Sequence, residues 1–183
     1  CRINHNITRT LQQNQNYVVH GMRECVKMGE LRSGSGCAMW DELTGLPNRF
    51  AFEGQLDRIL RQGGTGYAIL IDINEFKAIT QCFGYRAGDM LIVEFAHYLR
   101  SSLAPAYQIF RMSADTFSLI VEAMPTEILA KEMKAILNRC RVPWSIGNRT
   151  TFCTVSIGAV SWPEDGKDSE AICGKLRDAL AQA

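Results

Sequence analysis

The chain has 183 residues, 46% hydrophobic and 21% charged, with 20 basic against 19 acidic residues for a net charge of +1. That is the profile of one globular domain long enough to bury a core. The even charge balance excludes an electrostatic footprint for a nucleic-acid backbone or an anionic membrane surface. No apolar run approaches the roughly 18 residues of a membrane helix, and no signal peptide opens the chain, so no direct membrane contact is expected of this segment. The seven cysteines (1, 25, 37, 82, 140, 153 and 173) are odd in number, scattered, and free of any C-x-x-C pair. His5, His20 and His97 add no zinc spacing beside them. A reduced, cytoplasmic setting is expected, and a start at Cys1 rather than Met points to a piece of a longer protein. That parent is free to be membrane-anchored elsewhere.

In chain order, residues 1–40 are polar, lack proline, and run through Arg32-Ser-Gly-Ser-Gly36, a flexible connector. A heptad frame fits Ile7, Leu11, Asn14, Val18, Gly21, Cys25 and Met28, with Asn14 and Gly21 spoiling two seam positions. Two readings stand for this N-terminal helical linker: a signalling helix that pairs with a second copy, or a single amphipathic helix leaning on a neighbour. From Asp41 the pattern alternates. Pro47 suits a first helical turn, followed by an apolar stripe through Phe50, Phe52, Leu56, Ile59 and Leu60. Gly63-Gly-Thr-Gly66 breaks the chain before a buried strand over Tyr67–Asp72. Helical periodicity spans Met90–Leu103; two β-like runs, Tyr107–Met112 and Thr116–Glu122, flank a three-residue turn and predict a hairpin. A helix over Thr126–Cys140, a strand over Thr150–Trp162, and a last helix over Asp168–Ala181 with Asp168 as N-cap complete the order. This is an α+β sandwich of β-α-β-β-α-β type, a mixed sheet with helices packed around it and an extra leading helix.

Chemistry concentrates in Ile69–Asp89. A strand ends on Asp72, and Asp89 follows Gly84 and Gly88 just before a helix. Carboxylates at strand ends suit Mg²⁺, which takes one or two of them together with substrate phosphates. Asp115 sits in the hairpin turn, and if Tyr67–Asp72 lies beside that hairpin, Asp72 and Asp115 face one cation. Residue by residue, a strand-end acid, a helix start and a turn former are equally ordinary readings.

Taken together these stretches resemble the GGDEF family of diguanylate cyclases. Asp41-Glu-Leu-Thr-Gly-Leu-Pro-Asn-Arg49 matches the family's D-x-L-T-G-L-x-N-R opening. Asp72-Ile-Asn-Glu-Phe-Lys77 resembles D-x-D-x-F-K with Asn74 for the second Asp, and Gly84-Tyr-Arg-Ala-Gly-Asp89 resembles G-H-x-x-G-D with Tyr85 for His. Phe110–Phe117 occupies the place of the signature, and Thr154-Val-Ser-Ile-Gly158 matches T-x-S-x-G. The likeness covers residues 41–183 and implies a nucleotidyl-cyclase, ferredoxin-like fold.

Active members condense two GTP into cyclic di-GMP across an antiparallel pair of domains. Here the signature G-G-D-E-F reads Ser113, Ala114, Asp115, Thr116 and Phe117. The lost glycines would admit backbone N–H groups to phosphate and permit positive φ, and the lost Glu would bind metal or activate a hydroxyl. No catalytic residue is therefore expected. The resemblance implies metal ligands at Asp72, Asp115 and the Ile73 backbone, and nucleotide contacts at Asp89, Lys77, Ser113, Ala114 and Thr80. Thr80 stands in place of a guanine-binding Asn, a loss of roughly 1–3 kcal/mol. The late A-D-x-A-L-Y-x-A survives only as Ala179, Leu180 and Ala183, and the product-inhibition R-x-x-D reads Ala104-Pro-Ala-Tyr107. Arg111 matches the family's Arg before the turn, with a solvated strand end as its ordinary role. The implied function is a non-cyclising regulatory GGDEF domain in cyclic di-GMP signalling, taking GTP with Mg²⁺ to tune an attached EAL phosphodiesterase domain. A dimerisation or interaction module that binds no nucleotide stands beside it, and an active cyclase with a variant signature stands third.

Overall fold

The computed structural model describes residues 39–183. The leading helix and heptad frame expected over 1–40 lie outside the described residues, apart from Met39 and Trp40.

Helix α1 (Arg49–Gln62) starts because the Asn48 side chain accepts from the backbone N–H groups of Phe50 and Ala51. It ends at Gly63, where φ is +76°. Pro47 lies ahead of this cap rather than in the first turn: the Asn48 cap starts the helix later, and the Pro47 carbonyl instead accepts from Arg111 N at 2.8 Å. Strand β1 (Gly66–Ile73) follows. Its entry needs a glycine, since a Cβ at Gly66 would meet the Trp162 ring at 2.2 Å and the Val121 carbonyl at 2.5 Å.

Two helices come next where one was expected. α2 (Phe76–Phe83) and α3 (Tyr85–Ser102) meet at Gly84, whose φ of +88° turns the chain between them. Met90–Leu103 carries the apolar periodicity because only that stretch lies deep on the sheet. Asp89 therefore sits one turn inside α3 rather than ahead of it. Strands β2 (Gln108–Arg111) and β3 (Thr116–Glu122) form the expected hairpin, and α4 (Thr126–Arg139) follows. The strand expected over Thr150–Trp162 divides. Arg149–Thr151 (β5) pairs with Trp144–Ile146 (β4) as a separate ribbon turning at Gly147, and Val155–Trp162 (β6) joins the main sheet. Helix α5 (Ser169–Ala181) begins as expected at Asp168, which accepts from Ala171 N at 2.8 Å.

The main sheet has the order β2-β3-β1-β6. Every neighbouring pair is antiparallel, which corrects the expected mixed sheet. The reason is topological: β1 and β2 run parallel, but the α2–α3 crossover carries the chain past one strand position, and β3 fills the gap. The alternation of side chains then splits the core. Ile69, Ile71 and Ile73 of β1, with Phe117, Leu119 and Val121 of β3, face Leu91, Ile92, Phe95 and Leu99 of α3 and Leu129, Met133 and Ile136 of α4. Ala68, Leu70 and Ile120 face Phe52, Leu56 and Ile59 of α1 and Ile172 and Leu176 of α5. Each large apolar side chain so buried contributes about 1.5–3 kcal/mol. The α/β sandwich of the sequence reading is thereby formed, with β1 central and its C-terminal end beside the β2–β3 turn.

Candidate nucleotide and cation site

Register brings the site together. Asp72 pairs across β1 and β3 with Thr116, and the next residue, Ile73, donates its N–H to the Asp115 carbonyl at 3.0 Å. The condition set by the sequence is thus met: the strand ending near Asp72 lies directly beside the hairpin turn. The turn closes by backbone bonds from Met112 N and Ser113 N to the Thr116 carbonyl, at 2.9 and 3.3 Å. Among the described residues only Glu75 and Ala123 are non-glycine positions with positive φ. Ser113 and Ala114 therefore build this turn without the left-handed backbone that glycines would permit.

A hydroxyl relay runs through it. Ser113 Oγ donates to Thr116 Oγ1 at 2.8 Å, and Thr116 Oγ1 donates to Asp72 Oδ1 at 2.7 Å. Burial pushes the half-buried Asp72 carboxyl above its ordinary range; the Thr116 bond opposes this and the nearby Asp115 charge adds to it. The Asp115 carboxylate near it makes a pair of acids of the kind a hard cation takes. Asp72 and Asp115 would be the carboxylates to hold Mg²⁺, which leaves its other positions to water and phosphate. Asp72 Oδ1 is already engaged. Among the described residues no group of three or more His, Cys, Asp or Glu side chains is placed to hold a metal without such help.

Arg111 departs from the sequence reading. It is neither a solvated strand end nor an open ligand contact, being only 7% exposed. Its Nε donates to the Ser113 carbonyl and its Nη2 to the Ala114 carbonyl, while the guanidinium lies 5.0 Å from the Phe117 ring centroid. Burial lowers its pKa, and the charges of Asp41, Asp115 and Asp89 hold the cation against that cost. The arginine clamps the turn, and the charges of three acidic residues from separate segments act on it without a direct ion pair among the described residues. Its position before a Gly-less turn was the available signal; its burial was not legible. Asp41, also missed as a site neighbour, spends Oδ1 on Thr44 N and Thr44 Oγ1 at 2.8 and 2.6 Å.

The remaining expected residues lie less close. Lys77 is exposed on α2. Thr80 Oγ1 donates to the Lys77 carbonyl at 2.9 Å, and its methyl lies 2.5 Å from where a Cβ on Gly88 would stand. Asn74, in place of the family's second Asp, is tied to the β6 side: Nδ2 donates to Thr154 Oγ1 and Oδ1 accepts from Ser156 Oγ, both at 3.0 Å. Asp89 is exposed and lines a cleft of about 260 Å³ with Leu43, Arg86 and Met90. A larger cleft of about 370 Å³ opens against the turn itself, at Ser113, Ala114, Arg111, Asn48 and Arg49. The structure thus unites Asp72, Asp115, Thr116 and Ser113, and links Asp89 to them only through the field of Arg111.

Comparison with known proteins agrees with this architecture. The family model described as "Diguanylate cyclase, GGDEF domain" matches residues 38–183. The bifunctional diguanylate cyclase/cyclic di-GMP phosphodiesterase MucR of Pseudomonas aeruginosa is 30% identical over 134 residues, covering 71% of this chain and 20% of that protein. The response regulator PleD of Caulobacter vibrioides is 32% identical over 157 residues, 80% of this chain and 34% of PleD. Among solved structures, a sensory box/GGDEF family protein from Caulobacter crescentus superposes with a TM-score of 0.72 at 27% identity, over 80% of this chain and 97% of that one. The chain spans about a fifth of the length of the first curated relatives it matches.

Proposed function

Because the chain belongs to the GGDEF family of cyclic di-GMP signalling domains, we propose that it is a regulatory member that does not cyclise GTP. One observation carries this reading: the fourth signature position is Thr116, and its hydroxyl is spent on Asp72 at 2.7 Å. A hydroxyl so engaged neither neutralises a cation nor takes a proton from a ribose hydroxyl near neutral pH. The Ser113 and Ala114 side chains stand where the family's glycines let backbone N–H groups reach phosphate. Binding is a lesser demand than catalysis. Asp72 and Asp115 would hold Mg²⁺, which when bound neutralises triphosphate charge; Asp89 would accept from a guanine edge and exposed Lys77 would meet phosphate. The relatives MucR, PdeR of Escherichia coli and NbdA of Pseudomonas aeruginosa are each named as cyclic di-GMP phosphodiesterases. By that analogy the domain tunes an attached EAL-type phosphodiesterase domain in the cytoplasm, and nucleotide acts by binding one domain arrangement more tightly than another.

Titration calorimetry with GTP and Mg²⁺, with chromatography of the same incubation, tests both halves. Heat of binding without cyclic di-GMP supports the reading. Cyclic di-GMP formation overturns the first half, and absence of heat overturns the second. A second reading, an interaction module without nucleotide, is favoured by Thr80: its hydroxyl is committed to Lys77 O and offers guanine no amide. Under that reading Asp72→Ala leaves partner regulation unchanged in the presence of GTP.

A further inference from the structure

Arg111 carries a charge that the signature turn does not fully answer. It is 7% exposed, its Nε and Nη2 donate to the Ser113 and Ala114 carbonyls, and its Nη1 is buried with no acceptor among the described residues. The ion pairs among the described residues join other side chains, and none includes Arg111. A cation buried in this way is costly unless an anion is paired with it, and two carbonyl dipoles replace only part of the water it has lost. A guanidinium with one nitrogen of its fork unspent is a receptor suited to an oxyanion.

Arg111 lines the cleft of about 370 Å³ at this turn, and Asp72, Lys77, Asp89 and Asp115 are not part of that cleft's wall. A second cation, Arg49, shares the wall as the first residue of α1; its side chain is 63% exposed and its Nε holds Glu53 at 2.8 Å. The N-terminal end of α1 faces the same space through Asn48, Arg49 and Phe50. Asn48 already accepts from Phe50 N and Ala51 N, so the helix contributes the positive end of its dipole rather than free N–H groups. Asp41 is the acid on the wall, and its Oδ1 is occupied by Thr44 N and Thr44 Oγ1 at 2.8 and 2.6 Å. Two arginines against one aspartate leave the wall with a formal charge of +1. Beside these charges, Phe50 is 54% exposed and Met112 is half-buried, which gives the cleft an apolar shelf.

We propose that this cleft is a second ligand site, separate from the Asp72–Asp115 pair, which takes a nucleoside phosphate without metal: the phosphate meets Arg111 and Arg49, and the base rests on Phe50 and Met112. A cleft of about 370 Å³ is in the size range of small-molecule sites. Phosphate suits it better than a carboxylate, because its terminal oxygens meet two guanidinium groups and the positive helix end together. No cation is required, since the protein supplies the positive charge. Nη1 is closed to water, so seating the phosphate includes a small displacement of the exposed Ser113–Ala114 wall. Contact with the base is through its face, so the site reads stacking area rather than the identity of the base. The turn that Arg111 clamps leads directly into Asp115, so occupancy stiffens the loop that carries one of the cation carboxylates.

Amide resonances of the full chain are followed by NMR at constant ionic strength in EDTA, with inorganic phosphate, adenosine 5′-monophosphate, adenosine and acetate as probes. Saturable shifts at residues 49–51 and 111–114 are expected with phosphate and with the monophosphate, which should bind about tenfold more tightly through its base. Adenosine and acetate should not saturate. Arg49→Gln should weaken the monophosphate about fivefold, Phe50→Ala should bring it down to the affinity of phosphate, and Arg111→Met should abolish both. Arg49→Gln and Phe50→Ala change exposed side chains and keep the test decisive if Arg111→Met does not fold. Asp89→Ala, in the other cleft, should change nothing. Shifts that grow linearly and equally with phosphate and acetate mean an adventitious ion only and overturn the proposal. A monophosphate affinity untouched by both Arg49→Gln and Phe50→Ala overturns it as well. Binding that appears only with Mg²⁺, or is lost in Asp89→Ala, assigns the nucleotide to the Asp72–Asp115 and Asp89 groups and overturns it too.

Discussion

Replacing Thr116 by valine keeps the shape of the side chain and deletes one hydroxyl. The Thr116 hydroxyl donates to Asp72 Oδ1 at 2.7 Å and accepts from Ser113 Oγ at 2.8 Å. Ser113 is exposed, so water replaces its bond at little cost. Asp72 is half-buried, and a charge-assisted bond of this kind contributes about 1.5–3 kcal/mol when fully buried; partial access to water brings the expected loss to about 1–2 kcal/mol. The pH dependence separates this cause from lost packing. Asp72 already titrates above the ordinary carboxyl range in the fold, and losing the Thr116 bond moves it further in the same direction. A carboxyl with a raised native pKa costs stability when ionised, and that cost disappears as pH falls through the native pKa toward the unfolded value near 3.9. Urea unfolding of wild type and Thr116→Val at pH 7 and at pH 4 measures it. The difference should be largest at pH 7 and shrink toward pH 4, and in an Asp72→Asn background it should fall by about 1 kcal/mol. A loss of equal size at both pH values, or one unchanged by Asp72→Asn, would refute the relay as its origin.

Arg111→Met keeps the apolar stem but releases the Ser113 and Ala114 carbonyls; a loss of about 2–3 kcal/mol is expected, with faster amide exchange at residues 113–116 by mass spectrometry. Gly158→Ala places a Cβ 2.5 Å from Leu180 N of α5, so thermal melts should show about 2–3 kcal/mol of destabilisation. Gly174→Ala, with nothing within 4 Å of its Cβ inside α5, should instead gain about 0.5–1 kcal/mol. Asp165 accepts from Ser161 N and Ser161 Oγ at 2.8 and 3.1 Å, and these bonds together hold its pKa below the ordinary value. Its contribution of about 1 kcal/mol is present above pH 4 and lost as pH falls through the native pKa, so Asp165→Asn should destabilise at pH 7, and the difference from wild type should shrink as pH falls below 4.

Helix α1, the β2–β3 hairpin and α5 were legible because each is written in neighbouring residues: apolar spacing of three and four, alternation by two around a short turn, an Asp168 cap. The family motifs were legible for the same reason, as local strings in the right order. Helix α2 was hidden because Phe76–Phe83 is only eight residues long and starts after Glu75 with no capping side chain to mark its beginning. The β4–β5 ribbon was hidden because a strand of three residues is too short for alternation to register. What the sequence determined alone is the list of chemical groups: two carboxylates retained, two glycines and one acid replaced. What those groups do was decided by register. Asp72 and Thr116 are separated by 44 residues and meet only because β1 and β3 pair antiparallel at that step. A slip of one residue would turn Thr116 to the opposite face and leave Asp72 without its donor. Burial of Arg111 likewise depends on which elements lie over it, and no spacing along the chain encodes that.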